Sequence, residues 1–237
     1  MVTESDNIVA ETAARIFADL ADPQTINRAR DTSWKEKLWR ALSDAGLTLA
    51  WVPEKQGGAG GSLAEGFAIL GVAGRYAVPV PLAETLIAGW LLTRAGIAAP
   101  AGAMTVAPAR PRDRIALNAD GTLSGLCRGI PFAKYCEHIA VMAAGDKGAA
   151  IALVKTADCR VSEGHNLAGD GSDSVTFERT KVIRSAPAPA GFDPSALMLM
   201  GASVRSVQAA GALEAILSLS VRYANERVAF ERPIGKF

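Results

Sequence analysis

Two side chains near the end of the printed sequence have the types and spacing to bind a phosphate-bearing ligand. Arg227 and Phe230 stand three residues apart, so on a helix they would share one face. A guanidinium group presents its N–H donors as a planar fork, which suits the oxygens of a phosphate. The alternative is a surface arginine that pairs with Glu226 or Glu231, next to a phenylalanine of the core.

Other short motifs in the sequence carry weaker chemical signals. Residues 57–61 are glycine-rich, but they lack the Lys-Ser/Thr of a P-loop, so they indicate a plain turn. Residues 169–173 do not form the nucleophile elbow of a hydrolase. His138 and His165 have no ligand residues nearby in the sequence, so we predict structural roles for them and no metal site.

The composition is that of a globular protein with a sizeable core. Of the 237 residues, 49% are apolar and 21% are charged, and the formal net charge is +1. A nearly neutral chain gives no electrostatic reason to bind nucleic acid or an acidic membrane. Three cysteines without CxxC spacing predict buried free thiols rather than disulfides or a zinc site; they are Cys127, Cys136 and Cys159.

The sequence contains no recognisable targeting segment. The first ten residues include acids and no apolar run, which is unlike a signal peptide. No stretch reaches about 18 uninterrupted apolar residues, so we predict no membrane span. The expected location is the cytoplasm.

The pattern of apolar residues changes twice along the chain. Helical spacing dominates the first hundred residues, where Ser62 and Glu65 form a capping box ahead of one helix. From about Ala103, short apolar runs alternate with turn residues, which predicts an all-β module. Residues 185–191 look like a linker, and a long helix begins after Pro194.

We therefore predict an α+β multi-domain protein with three parts. An N-terminal helical domain occupies residues 1–100, a middle β-barrel or sandwich domain residues 101–190, and the first helix of a C-terminal helical bundle residues 191–237. The long helix has an apolar face that needs neighbours from another chain or from residues beyond Phe237. That face includes Leu213, Ile216, Leu217, Ser220, Val221 and Ala224.

The last fifteen residues carry the most specific resemblance to a known family. Residues 223–237 read YANERVAFERPIGKF and closely resemble the segment YA-x-ER-x-x-F-x-RPIG-x-F of acyl-CoA dehydrogenases. Residues 38–65 are similar to the N-terminal helical domain of that family, and residues 173–182 to the strand that closes its β domain. The family also has the same layout of helices, a β domain and further helices.

The resemblance implies a flavoprotein of lipid metabolism that oxidises an acyl-CoA thioester to the 2,3-enoyl-CoA. FAD would accept the hydride and pass electrons to a separate electron-transfer acceptor, within a homo- or hetero-oligomer that is a dimer or tetramer. In the family, the arginine that matches Arg227 binds the FAD pyrophosphate of a neighbouring subunit, and the aromatic ring that matches Phe230 packs nearby. We also predict from the resemblance that Arg205 contacts the acyl-CoA substrate.

Three stretches depart from the family pattern. The flavin-contacting T-E-P-x-x-GSD loop corresponds to the shortened residues 105–110, and the W-I-T/S-N motif to residues 129–132, which lack its aromatic wall and its hydroxyl. Some members place the catalytic carboxylate where this chain has Val204, and others place it beyond the position of Phe237. No residue of this chain can therefore be named as the catalytic base, and the chain resembles a short, degenerate subunit whose C-terminal helical domain is truncated.

These departures favour one half of a hetero-oligomer over a self-sufficient enzyme. The chain would lend Arg227 and Phe230 to an FAD that a sister chain mostly holds. Such mixed assemblies occur among family members that act on bulky substrates, including steroid side-chain thioesters. The alternative hypothesis is a non-catalytic binding or assembly subunit that has kept the fold.

Overall fold

Helices form the first part of the structure, a computed structural model that describes residues 4–29, 31–146 and 148–237. The α-helices are α1 (Glu4–Leu20), α2 (Pro23–Arg28), α3 (Ser33–Asp44), α4 (Leu63–Arg75) and α5 (Leu82–Arg94). The sequence pattern does not predict α2, because Asp22-Pro23 indicates the end of α1. Proline is also well suited to the first position of a helix, and Pro23 begins α2 in this way.

The predicted capping box is confirmed at the start of α4. The Glu65 backbone N–H donates to the Ser62 hydroxyl at 3.1 Å, and the Ser62 N–H donates to the Glu65 carboxylate at 2.7 Å. These two bonds satisfy N–H groups that a helix start otherwise leaves without partners. The local sequence therefore fixes where α4 begins.

Eight strands form one mixed sheet after the helices. They run in the order β6-β7-β3-β2-β4-β5-β8, and β1 pairs with β4. The pairs β1–β4 and β2–β4 are parallel, whereas the other pairs are antiparallel. The strands are β1 (Met104–Ala107), β2 (Arg114–Leu117), β3 (Thr122–Pro131), β4 (His138–Gly145), β5 (Gly148–Lys155), β6 (Arg160–Ser162), β7 (Ser172–Lys181) and β8 (Arg184–Pro187).

The central strands β4 and β5 separate two hydrophobic cores. Successive side chains of a strand point to opposite faces of a sheet. One face, with Met142 and Leu153, packs against the helices. The opposite face, with Val141, packs against Val175 and Phe177 of β7. The sheet therefore folds over onto itself, as the predicted β-barrel or sandwich requires.

The predicted linker at residues 185–191 is wrong in its first part. Residues 184–187 form β8, which pairs with β5 at the edge of the sheet. Their small residues and proline hide the strand signal, because β-branched and aromatic residues mark most strands. Pro187 is tolerated there because an edge strand needs N–H donors on only one side.

A single helix of 33 residues, α6 (Pro194–Glu226), completes the described chain except for a short hairpin. The Asp193 side chain caps it by accepting a hydrogen bond from the Ala196 N–H at 3.0 Å. Just before the cap, the Phe192 ring lies 5.0 Å from the Trp90 ring of α5, and the Arg94 guanidinium lies 5.9 Å from the centre of Phe192. These contacts fix the entry of α6 against α5.

Glycines allow α6 and α4 to approach almost backbone to backbone. A Cβ placed on Gly211 would lie 2.0 Å from the Gly71 carbonyl oxygen, and one on Gly74 would lie 2.1 Å from the Gln208 carbonyl oxygen. Both distances are far shorter than a carbon–oxygen contact allows. The small residue Gly211 of α6 therefore lets α4 approach closely.

The opposite side of α6 carries its predicted apolar residues into solvent. Leu213 is 64% exposed, Ile216 58% and Leu217 65%. By length and composition, α6 is the helix of the described chain that could cross a membrane, and 17% of its apolar window is buried. The need for neighbours along this face stays a prediction, as do the domain boundaries.

We expect Gly211→Ala to lower the free energy of unfolding by about 1–3 kcal/mol, because the added methyl group pushes α6 away from α4. Gly201→Ala in the same helix is the matched control, since a Cβ there meets no atom within 4 Å. It should raise stability by about 0.5–1 kcal/mol through helix propensity. Urea unfolding of the two variants measures this difference, and equal effects would contradict the tight helix contact.

Candidate functional site

A cleft of about 330 Å³ opens between α5, α6 and residues of β1 and β3. Its walls are apolar except where Glu84 of α5 faces Arg205 of α6. The lining residues are Glu84, Ile87, Val106, Pro108, Ala109, Gly129, Pro131, Leu197, Met198, Gly201, Ala202 and Arg205. A mostly apolar cleft with a few convergent polar groups is the usual form of a small-molecule site.

The start of α5 is fixed to β1, which places Glu84 beside the cleft. The neighbouring Thr85 is fully buried, and its hydroxyl accepts a hydrogen bond from the Met104 N–H at 3.0 Å. The same hydroxyl donates to the Pro81 carbonyl at 2.7 Å. Glu84 lies in the first turn of α5, where the positive end of the helix dipole favours a carboxylate.

Glu84 and Arg205 form an ion pair that crosses the cleft. The Arg205 Nη2 donates to Glu84 Oε1, and Nη1 donates to Gln208 Oε1 at 2.6 Å. The Glu84 side chain is 2% exposed, whereas that of Arg205 is 52% exposed. Glu84 Oε2 accepts no hydrogen bond from a described residue and is not fully buried, so it opens onto the cleft.

The sequence prediction for this region identifies Arg205 but not its partner. Glu84 is not among the predicted site residues, although it is the sole acid of α5, a mostly apolar helix. Val204, at the position where some relatives carry a carboxylate, is completely buried in the core. The structure thus brings Arg205 to the cleft with Glu84 and keeps Val204 out of it.

Arg227 and Phe230 lie outside the helix, so the prediction that they share a helical face is wrong. The helix α6 ends at Glu226, and Arg227 caps it with extended backbone. A hairpin of β9 (Val228–Ala229) and β10 (Arg232–Pro233) follows. Phe230 occupies its tip, and the left-handed φ values of +49° and +65° at Phe230 and Glu231 indicate a two-residue type I′ turn.

Both side chains are nevertheless available to a ligand. Phe230 is 89% exposed, which excludes the alternative of a core phenylalanine. Arg227 is exposed and takes part in none of the ion pairs found among the described residues. The Phe237 ring lies 6.2 Å from the Phe230 ring, and the Arg232 guanidinium lies 4.0 Å from the centre of the Phe237 ring. The hairpin therefore presents aromatic and cationic groups together.

The cleft and the hairpin are separate sites. Arg205 and Arg227 stand about 33 Å apart along α6, at about 1.5 Å of rise per residue. No single small ligand of this chain can reach both arginines along that path. Each site must therefore be interpreted by itself.

The residues that match flavin-contacting motifs are occupied with internal contacts. The Thr105 hydroxyl donates to the Pro131 carbonyl at 2.7 Å, and Thr105 is fully buried. Ile130 is also fully buried, and Phe132 is half-buried. Residues 129–131 offer a glycine and a proline to the cleft, but neither a hydroxyl nor an aromatic ring.

The cysteines and histidines do not form a second reactive centre. Burial raises the pKa of Cys127 to about 12 and that of Cys159 to about 11, so both thiols stay protonated at neutral pH. Cys127 and Cys136 are buried as predicted, whereas Cys159 is only half-buried. Burial lowers the pKa of His138, and His165 is exposed. No group of metal-binding side chains occurs among the described residues.

Comparison with known proteins gives consistent matches. A model of the acyl-CoA dehydrogenase N-terminal domain matches residues 3–99. The chain is 28% identical over 237 residues to acyl-CoA dehydrogenase IpdE2 of Mycobacterium tuberculosis, which covers 99% of this chain and 68% of that protein. It is 30% identical over 221 residues to acyl-CoA dehydrogenase FadE27 of the same organism, which covers 85% of this chain and 59% of the relative.

Solved structures agree with this assignment. A variant of the Tcur3481–Tcur3483 steroid ACAD superposes with a TM-score of 0.78 at 27% identity, covering 100% of this chain and 71% of that one. The ChsE4–ChsE5 complex from Mycobacterium tuberculosis superposes with a TM-score of 0.80 at 23% identity, with the same coverage. Residues 3–99 thus match the N-terminal domain of the acyl-CoA dehydrogenases, and the whole chain is similar in sequence and in fold to members of that family.

Proposed function

We propose that this chain is a subunit of an FAD-dependent acyl-CoA dehydrogenase that forms one half of a hetero-oligomer. The complex oxidises an acyl-CoA thioester to the 2,3-enoyl-CoA, in the cytoplasm, and passes the electrons to a separate acceptor. The observation that carries the proposal is the exposed side chain of Arg227, which has no counter-ion among the described residues and precedes the exposed ring of Phe230 by three residues.

The hairpin fits the phosphate part of FAD. An exposed arginine without a counter-ion keeps all its donors for an anion, and a diphosphate accepts them in paired fashion. Phe230 adds an exposed apolar surface at the tip of the hairpin that follows Arg227. Arg227 and Phe230 are therefore the residues that we assign to cofactor binding.

The β domain does not fit the ring of FAD in the same way. An isoalloxazine needs a flat apolar wall and a hydrogen-bond donor near its reactive nitrogen. Residues 129–131 supply neither, and the Thr105 hydroxyl is already bonded to Pro131. This favours a sister chain as the source of the ring contacts. Two similar structures bear the names of paired proteins, Tcur3481–Tcur3483 and ChsE4–ChsE5.

The cleft between α5 and α6 is where we place the acyl group of the substrate. Its apolar walls suit a hydrocarbon body, and Arg205 supplies a donor at one end. The distance of about 33 Å between Arg205 and Arg227 supports the proposal that an FAD bound by the hairpin would serve another subunit. Because two subunits share the cofactor, the oxidation of the thioester requires the assembled complex.

FAD supplies the acceptor for the hydride that leaves the β carbon of the thioester. The chain itself orients the acyl group and excludes water from it, because apolar residues surround the cleft. Proton removal from the α carbon needs a base that faces the substrate. Val204 has no ionisable group and cannot serve, so we assign no catalytic base to this chain.

We expect Arg227→Ala to weaken FAD binding by about tenfold or more, because a charge-assisted hydrogen bond to phosphate is lost. Arg222→Ala is the control, since Arg222 is also exposed and lies on α6 near the hairpin. The measurement is the FAD-to-protein ratio of the purified assembly after dialysis, read from flavin absorbance. Equal flavin content in the two variants would argue against the assigned role of Arg227.

The hetero-oligomer can be tested separately by co-expression. We expect the chain purified alone to contain little flavin, and the chain purified with a related acyl-CoA dehydrogenase subunit to be yellow, because each partner supplies part of the site. Flavin absorbance and analytical ultracentrifugation measure occupancy and assembly. Full flavin occupancy in the solo protein would reject the two-chain arrangement while leaving the family assignment untouched.

A second candidate function is a non-catalytic binding or assembly subunit. The buried valine at position 204 and the absence of ring contacts from residues 129–131 favour it. Turnover of acyl-CoA with an artificial electron acceptor separates the two. A reconstituted complex whose turnover falls with Arg227→Ala supports the enzyme subunit, and turnover indifferent to this change supports the assembly role.

A further inference from the structure

The carboxylate of Glu84 has hydrogen-bonding capacity that the protein does not use. An ionised carboxylate can accept about four hydrogen bonds. Only Arg205 bonds to that of Glu84 among the described residues, and it does so through Oε1. Buried polar groups nearly always have partners, because leaving them unpaired costs free energy. Oε2 opens onto the cleft, so a ligand in the cleft is the group placed to satisfy it.

The charge of the pair restricts what this ligand group can be. Glu84 and Arg205 together carry no net charge. A carboxylate on the ligand would meet the Glu84 oxygen at short range, and an ammonium group would meet the Arg205 guanidinium; like charges repel strongly in an apolar cleft. A neutral group therefore fits best.

Among neutral groups, a hydroxyl matches the pair on both sides. Its hydrogen can be donated to Glu84 Oε2, while its oxygen can accept from an N–H of Arg205. A keto oxygen can only accept, and a methyl group can do neither. The remaining walls, such as Ile87, Leu197 and Met198, are apolar, so the rest of the ligand is hydrocarbon.

We infer that the cleft selects an acyl group that carries a hydroxyl, and that Glu84 is a specificity-determining residue which binds this hydroxyl together with Arg205. The inference rests on the proposed function, because it assumes that an acyl-CoA thioester enters the cleft. It adds a substrate class, the hydroxylated acyl-CoA thioesters, to that proposal.

Calorimetric binding to the purified assembly tests the inference without requiring turnover. The probes are ω-hydroxyacyl-CoA thioesters from hexanoyl to decanoyl length, each compared with the unsubstituted and the ω-carboxy thioester of the same length. At the length that reaches Glu84, the hydroxyl should improve affinity about tenfold or more, since a plain chain leaves a buried oxygen unpaired.

Glu84→Leu should abolish this preference, so that hydroxylated and plain thioesters bind equally. Glu84→Gln, which keeps the size of the side chain, should reduce it and serves if the leucine variant does not fold. Glu214→Leu is the matched control, because it removes an exposed carboxylate of α6 outside the cleft and should leave the preference intact.

Three results would overturn the inference. Plain thioesters that bind as tightly as hydroxylated ones at every length would do so, as would a preference for ω-carboxy thioesters or a hydroxyl preference that survives Glu84→Leu. In each case thioesters still bind, so the proposed function stands. If no thioester binds at all, the proposed function fails together with the inference.

Discussion

The backbone contact between α4 and α6 is the constraint on which the rest of the structure depends. Gly74 and Gly211 lack the side chains that would otherwise separate the two helices. This contact with α4, and not the exposed apolar face of α6, therefore fixes the direction of the α6 axis. Once the axis is set, Arg205 must face α5, and the last turns of the helix must project beyond the fold. Both candidate sites follow from this one contact.

Local chemistry made much of the fold predictable. The capping box at Ser62 and Glu65 follows from neighbouring residues, and the structure confirms it. The strand β8 escapes such reasoning because its residues are small and its stability comes from pairing with β5. Short helices such as α2 escape it as well, since one proline can end a helix or begin the next.

The candidate site was less accessible to sequence reasoning than the fold. Glu84 and Arg205 stand 121 residues apart, so no local pattern joins them. Glu84 has an ion-pair partner only because α6 packs against α5 and brings Arg205 to it. The hairpin was missed for a different reason: its turn places Phe230 and Glu231 in left-handed conformations, where Asn-Gly is the usual signal. The spacing of three residues between Arg227 and Phe230 therefore predicts a shared helical face, whereas α6 ends before both residues.

The aromatic contact at the entry of α6 has a consequence for how complexes form. Phe192 contacts both Trp90 and Arg94, and Asp193 caps the helix immediately afterwards. The first turn of α6 is therefore fixed relative to α5. A subunit that docks on the projecting end of α6 therefore binds a helix whose orientation is already fixed. Little ordering entropy remains to be lost on association, which lets a modest area of contact hold two chains together.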